Sequence, residues 1–115
     1  MERITASRAD LPPEVTAHAQ GIKQVFLRNA DTPTAVTQVA YGLFASADYC
    51  DLHQHPTMEE YFFFLKGEGT YWVGDQQITL EPGVFVRIPA GVLHRLEATG
   101  AEPLEYMYFG VATAD

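Results

Sequence analysis

Residues 53–67 of the chain read HQHPTMEEYFFFLKG, and this stretch decides the fold. His53 and His55 stand two positions apart, so in a strand both imidazoles project from the same face. The apolar run from Tyr61 to Leu65 does not alternate with polar residues, which is typical of a strand covered on both sides. Gly67 ends the run and can adopt the positive φ of a tight connection. The stretch therefore predicts a buried strand preceded by two histidines on one face.

Short segments rich in Val, Thr, Ile and aromatic residues lie on both sides of this stretch. The predicted strands are residues 22–28, 35–45, 49–55, 59–66, 70–73, 76–80, 84–88, 93–97 and 104–111. Clusters of Gly, Pro, Asn and Asp separate them, and Gly74-Asp75 joins two of them as a hairpin. About nine short strands with this punctuation predict an all-β sandwich or barrel.

The first twenty residues are weakly patterned, and Pro12-Pro13 breaks any helix there. We therefore expect a short N-terminal arm at residues 1–20 and one barrel domain at residues 21–115. A chain of 115 residues suits a single domain. His18, isolated in the arm, is expected to be an ordinary side chain and not a ligand.

The composition excludes several classes of partner. The chain has 7 basic and 15 acidic side chains and a net charge of −8, so nucleic acid and anionic membranes are not expected partners. No apolar run approaches the roughly 18 residues of a membrane span, and no signal-peptide pattern is visible. The single cysteine, Cys50, is expected to be a buried small hydrophobe and fits a reducing compartment. A cytoplasmic location is the expectation.

A second pattern lies at residues 83–94, which read GVFVRIPAGVLH. Gly83 is followed after five residues by Pro89-Ala90-Gly91, and after two more by His94. With 9 Gly, 7 Pro and 4 His in the chain, this spacing arises by chance at a frequency of roughly 10⁻³ per chain. The pattern therefore carries information beyond ordinary turn chemistry.

Together the two stretches resemble the two motifs of the cupin family, and in particular small single-domain cupins. The first motif is His-x-His, three or four residues, Glu, six residues, Gly. Glu59 and Glu60 both fit the first interval, but counting back six residues from Gly67 favours Glu60. The second motif ends in Asn, where this chain has Ala98. The resemblance implies an antiparallel jelly-roll β-barrel.

The resemblance also implies a metal site formed by His53, His55, Glu60 and His94. One divalent transition metal ion per chain is expected, and nitrogen and oxygen ligands do not distinguish among Fe, Mn, Ni, Zn, Co and Cu. The implied function is that of a metalloenzyme acting on a small organic molecule, as an oxidoreductase (dioxygenase type), isomerase or lyase. The alternative is a non-catalytic barrel that binds or senses a small molecule.

Strand alternation predicts the walls of the cavity and its outer face. The predicted lining residues are Phe62, Phe64, one of Tyr71 and Trp72, Tyr106 and Tyr108, with Arg87 as a possible charged member. No other Arg or Lys is expected on the inner face, which weighs against phosphorylated sugars. The outward side chains of Tyr61, Phe63 and Leu65 are too apolar to face water, so we expect a homodimer or coverage by another part of the chain.

Overall fold

Antiparallel β-strands make up most of the chain in a computed structural model that describes residues 4–16 and 20–113. His18 lies outside the described residues. The strands are β1 (Glu14–Val15), β2 (Ile22–Arg28), β3 (Val36–Phe44), β4 (Met58–Lys66), β5 (Gly69–Val73), β6 (Gln76–Leu80), β7 (Phe85–Ile88), β8 (His94–Ala98) and β9 (Leu104–Ala112). Two short 3-10 turns occur at Arg8–Asp10 and Asn29–Asp31. No helix in these ranges is long and apolar enough to cross a membrane.

The strands form two sheets. The larger sheet has the order β1-β2-β3-β9-β4-β7 and the smaller has the order β6-β5-β8, with antiparallel pairing between all neighbours. The last strand, β9, lies between β3 and β4, so strands that are distant in sequence are neighbours in the sheet. This is the arrangement of a jelly roll. The predicted all-β, antiparallel jelly-roll fold is confirmed.

Aromatic side chains fill the space between the two sheets. Along β4, Phe62 and Phe64 are buried while Phe63 is exposed, as the alternation of a strand requires. Tyr106 of β9 lies beside both buried rings, with centroids 5.5 Å from Phe62 and 5.6 Å from Phe64. Such edge and tilted contacts give an aromatic core a defined geometry as well as buried area. The core therefore fixes the position of the inner face of β4.

One predicted strand is not a regular strand. Residues 49–55 form only two isolated bridges, Tyr49 with Glu97 and His53 with His94. Asp51 and Leu52 are exposed, and Pro56 has no N–H to donate to a ladder. The segment therefore contacts β8 through these bridges and through the amide of Cys50, which donates to the oxygen of Leu96 at 2.9 Å, but it does not join β8 as a continuous strand.

The N-terminal arm packs against the outer face of the larger sheet and adds β1 at its edge. Gln24 Nε2 donates to the backbone oxygens of Arg8 at 2.9 Å and Leu11 at 2.8 Å. The guanidinium of Arg8 lies 4.3 Å from the ring centroid of Tyr41, a cation–π contact. Tyr41 also donates a hydrogen bond to Glu105. The described part of the arm thus buries polar side chains that would otherwise face solvent.

Candidate metal centre

A backbone bridge sets His53 opposite His94. The amide of His53 donates to the oxygen of His94 at 3.1 Å, and the amide of His94 donates to the oxygen of His53 at 2.8 Å. A residue pair that exchanges both hydrogen bonds presents its side chains side by side, and the two ring centroids are 4.2 Å apart. The bridge therefore positions the His53 ring beside the His94 ring, as continuous strand pairing would.

His55 completes a cluster of three imidazoles. Its backbone oxygen accepts a hydrogen bond from the amide of Gly91 at 2.8 Å, which ties the segment to the turn before His94. One nitrogen from each of His53, His55 and His94 lies within 4.8 Å of the others. The three histidines could hold a metal ion. Nitrogen ligands about 2.0–2.1 Å from one ion lie at most about 4.2 Å apart, so the rings would move slightly closer together on binding it.

Glu60 faces this cluster from β4. Its side chain is 9% exposed, and Oε1 lies 3.3 Å from His55 Nε2 and 3.7 Å from His94 Nε2. Glu59 points to the opposite face of the strand, where Arg87 Nε and Nη2 donate to its two oxygens at 2.8 Å. These hydrogen bonds lower the pKa of Glu59. The structure thus places Glu60, and not Glu59, beside the three histidines.

Backbone carbonyls fix the tautomers of two histidines. His53 Nδ1 lies 2.7 Å from the oxygen of Asp51, and His94 Nδ1 lies 2.9 Å from the oxygen of Val92. A carbonyl oxygen can only accept, so Nδ1 carries a proton in both rings, and in the neutral imidazole the lone pair then lies on Nε2. This second hydrogen bond is the usual support for a metal-binding histidine.

The Nε2 atom of His94 has an unusual environment. The residue is 1% exposed, and Nε2 is buried without a hydrogen-bond partner. Leaving such an acceptor unpaired costs about 1–3 kcal/mol. A buried nitrogen without a partner therefore indicates that a further group binds there. A cation held by the three imidazoles and Glu60 would be that partner, and the residues therefore fit a metal ion.

Burial and hydrogen bonding shift the pKa values of His94, which is buried, and of His55, which is partly exposed, in opposite directions. Burial lowers the pKa of His94, whereas the hydrogen bond to Glu60 raises the pKa of His55. The lowered pKa favours the neutral form of His94, which is the form that a metal ligand requires.

A cavity of about 150 Å³ opens beside the cluster. Of the residues predicted to line it, the structure places Phe62, Tyr71, Tyr106 and Tyr108 in its wall. Phe64 is fully buried one layer deeper, with its ring centroid 6.3 Å from that of Tyr71. Burial raises the pKa of the lining tyrosines, so their hydroxyls remain neutral donors near neutral pH.

Two predicted lining residues lie elsewhere. Trp72 projects from the other face of β5, where the guanidinium of Arg95 lies 5.4 Å from its ring. Arg87 lies between the buried Val86 and Ile88, so alternation turns it outward to its ion pair with Glu59. Of the pair Tyr71 and Trp72, Tyr71 is thus the one in the cavity wall, and the possible charged member Arg87 lies outside it.

The cavity also contains residues that the sequence did not identify. They are Thr16, Lys23, Gln38, Phe44, Cys50, Met58 and Leu96. The expectation that no lysine faces inward was wrong, because Lys23 stands two positions before the core residue Val25 and shares its face of β2. That spacing was the available signal. Burial raises the pKa of Cys50, as expected of a buried thiol.

Residues 43–110, more than half of the chain, match the sequence profile of the Cupin domain, and the chain belongs to this family. It is 40% identical over 42 residues to a quercetin 2,3-dioxygenase of Bacillus subtilis (strain 168), covering 36% of this chain and 12% of that protein. It is 30% identical over 56 residues to an uncharacterized protein of Methanocaldococcus jannaschii, covering 49% of this chain and 45% of that protein. The chain thus spans less than half the length of either curated relative.

The fold matches a solved structure over nearly the whole chain. That structure is described as a predicted oxalate decarboxylase from Thermotoga maritima. The TM-score is 0.88 at 18% identity, covering 95% of this chain and 99% of that chain. At this identity the similarity establishes the fold alone.

Proposed function

We propose that this chain is a metal-dependent cupin enzyme that acts on a small organic molecule. His53, His55, Glu60 and His94 would hold one divalent transition metal ion. The observation that carries the proposal is the buried and unpaired Nε2 of His94, which faces two further imidazoles and a carboxylate. When bound, such an ion acts as a Lewis acid that polarises a coordinated oxygen atom.

The remaining residues of the cavity bind and orient the ligand. Phe62 and Tyr108 stack with an interplanar angle of 6° and centroids 5.0 Å apart, and they offer a flat apolar surface to a planar molecule. The neutral tyrosine hydroxyls can donate hydrogen bonds to ligand oxygens. The names of two similar proteins, a dioxygenase and a predicted decarboxylase, support oxidoreductase or lyase chemistry as the reaction class.

Metal analysis of three variants tests the proposed ligands. Wild-type protein should bind one metal ion per chain, and Glu60→Gln should reduce the affinity at least tenfold, because removing even a supporting partner of a metal ligand costs about 10–100-fold. Glu59→Gln is the matched control, because it makes the same change one residue away on the opposite face. His94→Ala should abolish binding while the chain still folds. Equal metal content in wild type and His94→Ala would refute the proposed site.

A second function, ligand binding without catalysis, has its own supporting observation. The buried phenols Tyr71, Tyr106 and Tyr108 have raised pKa values, so they are poor proton-transfer groups near neutral pH. A ligand that changes the spectrum of a bound metal ion distinguishes the two functions. Conversion of that ligand over time supports the enzyme, and unchanged ligand supports the binding barrel.

A homodimer is also part of the proposal. Phe63, Phe85 and Phe109 are 48%, 56% and 42% exposed on the outer face of the larger sheet. Phe63 stands opposite Phe85 in the register, and Tyr61 stands opposite Phe109, so the rings form one patch. Apolar patches of this kind mark interaction surfaces. Light scattering should give a dimer for wild type and a monomer for Phe63→Asp, and a wild-type monomer at micromolar concentration would refute the dimer.

A further inference from the structure

Lys23 is the one lysine or arginine that the described residues contribute to the cavity wall. It lies on β2, on the same face as the core residue Val25. Its Nζ donates to Gln38 Oε1 at 3.2 Å, and Gln38 also lines the cavity. A cation and an amide from two neighbouring strands thus share one end of a mostly aromatic cavity.

The hydrogen bond orients the amide of Gln38. An ammonium group has donors and no acceptor, so the oxygen of Gln38 faces Lys23 and the NH₂ group faces away from it. Lys23 retains two further N–H donors for another acceptor. Two neighbouring donor groups, one of them charged, match the two oxygen atoms of a carboxylate.

The nearest carboxylate on the strand beside Lys23 is already engaged. Glu14 of β1 stands directly opposite Lys23 in the register, but its Oε2 accepts a hydrogen bond from Arg28 Nη2. Within residues 4–16 and 20–113, no acidic side chain lies within 4.0 Å of Lys23 Nζ. The positive charge of Lys23 therefore remains available to a ligand.

From this arrangement we infer that the ligand is a small organic carboxylate with a planar apolar body, and that Lys23 and Gln38 bind its carboxylate. The inference rests on the proposed function, because the other end of the ligand would face the metal-binding cluster. A cavity of about 150 Å³ is large enough for one six-membered ring, since an apolar cavity of roughly this volume holds benzene. The aromatic walls pack against that ring.

The test compares benzoate with its neutral analogue benzamide by calorimetry. Wild-type protein should bind benzoate about tenfold more tightly than benzamide, as expected for one charge-assisted contact. Lys23→Met, which keeps an apolar stem and removes the charge, should abolish this preference, with the affinity for benzoate falling by a larger factor than the affinity for benzamide. Lys66→Met is the matched control, because it removes the other lysine of the chain, which is exposed at the end of β4. Lys23→Arg should retain part of the preference.

Each measurement is made on metal-free and metal-loaded protein, with the metal content determined separately. The metal-free protein holds no metal ion that could attract benzoate. Its preference for benzoate over benzamide therefore reports on Lys23 and not on the metal. If the wild-type protein binds no metal ion but Lys23→Met still abolishes the preference for benzoate, the proposed function is refuted and this inference stands. Wild-type protein that binds benzoate no better than benzamide, or not at all at millimolar concentration, overturns the inference. Unchanged benzoate binding by metal-free Lys23→Met overturns it as well.

Discussion

Replacement of Gly42 by alanine tests whether the aromatic core has any spare room beside the cavity. Gly42 lies in the middle of β3, opposite Tyr106 of β9. A Cβ atom at Gly42 would stand 2.3 Å from Cε2, 2.4 Å from Cζ and 2.7 Å from Oη of Tyr106. Carbon atoms in contact prefer separations of about 3.5–4.0 Å. The ring would therefore have to retreat by about 1 Å or more.

The surroundings of Tyr106 limit that retreat. Its ring centroid lies 5.8 Å from Phe44, 5.6 Å from Phe64 and 5.7 Å from Tyr108. Protein interiors are close-packed, so such neighbours do not yield without cost. The open direction is the cavity, whose wall Tyr106 forms. The substitution should therefore narrow the cavity as well as destabilise the chain.

The expected loss of stability follows from two opposing terms. Overpacking of a core costs about 1–3 kcal/mol, and the overlap at Gly42 favours the upper end of that range. Alanine in a strand gains about 0.5–1 kcal/mol over glycine, since glycine loses more backbone entropy on folding. Gly42→Ala should thus lower the free energy of unfolding by about 2 kcal/mol. Urea denaturation followed by circular dichroism measures this difference.

Two further variants show whether contact with Tyr106 causes the loss of stability in Gly42→Ala. At Gly100 the backbone is not left-handed, and the three atoms nearest to an added Cβ all belong to Glu68, with Cβ and Oε1 at 3.2 Å and N at 3.6 Å. Gly100→Ala should therefore stay within about 0.5 kcal/mol of wild type. Tyr106→Leu should cost less in the Gly42→Ala background than alone, with a coupling of about 1 kcal/mol. A Gly42→Ala protein as stable as wild type, without coupling to Tyr106, would refute the steric argument.

Two further predictions concern titration. Burial and the hydrogen bond to Glu105 raise the pKa of Tyr41 to about 12, so the stability that protonated Tyr41 contributes is present below pH ~10 and is lost as pH rises through 12. Ultraviolet absorbance should show Glu105→Gln lowering this pKa and Tyr41→Phe removing the titration, and an unchanged pKa in Glu105→Gln would contradict the assigned cause. The bound metal should leave the protein during dialysis below about pH 6.5, as free imidazoles become protonated. Full retention at about pH 5 would argue against histidine ligands.

The motif histidines could be placed from the sequence because their geometry depends on local spacing and on one bridge. His53 and His55 share a face whether or not their segment pairs along its length, so the wrong strand at residues 49–55 did not displace them. His94 begins β8 directly after a turn of defined length. Sequence spacing therefore predicts the cluster better than it predicts the strand that carries part of it.

The cavity walls were harder to predict because strand alternation identifies a face only where the opposite face is exposed. Along β2, the consecutive residues Gln24 and Val25 are both buried, since the arm covers Gln24 from outside. The strand also contains a bulge between Val25 and Leu27, and a bulge interrupts alternation. The spacing between Lys23 and Val25 is therefore a weak signal, because alternation along β2 does not show which of its two faces is the inner one.

The pairing of the N-terminal arm with β2 also determines whether Lys23 is available to a ligand. By pairing with β2, the arm brings Glu14 opposite Lys23. Glu14 could form an ion pair with Lys23 from this position if it had no other partner. Arg28, five residues further along β2, binds Glu14 instead. If this pairing leaves Lys23 available, Arg28→Met should free Glu14 to pair with Lys23 and weaken benzoate binding without touching the cavity. Unchanged affinity for benzoate in Arg28→Met would show that Glu14 does not compete for Lys23.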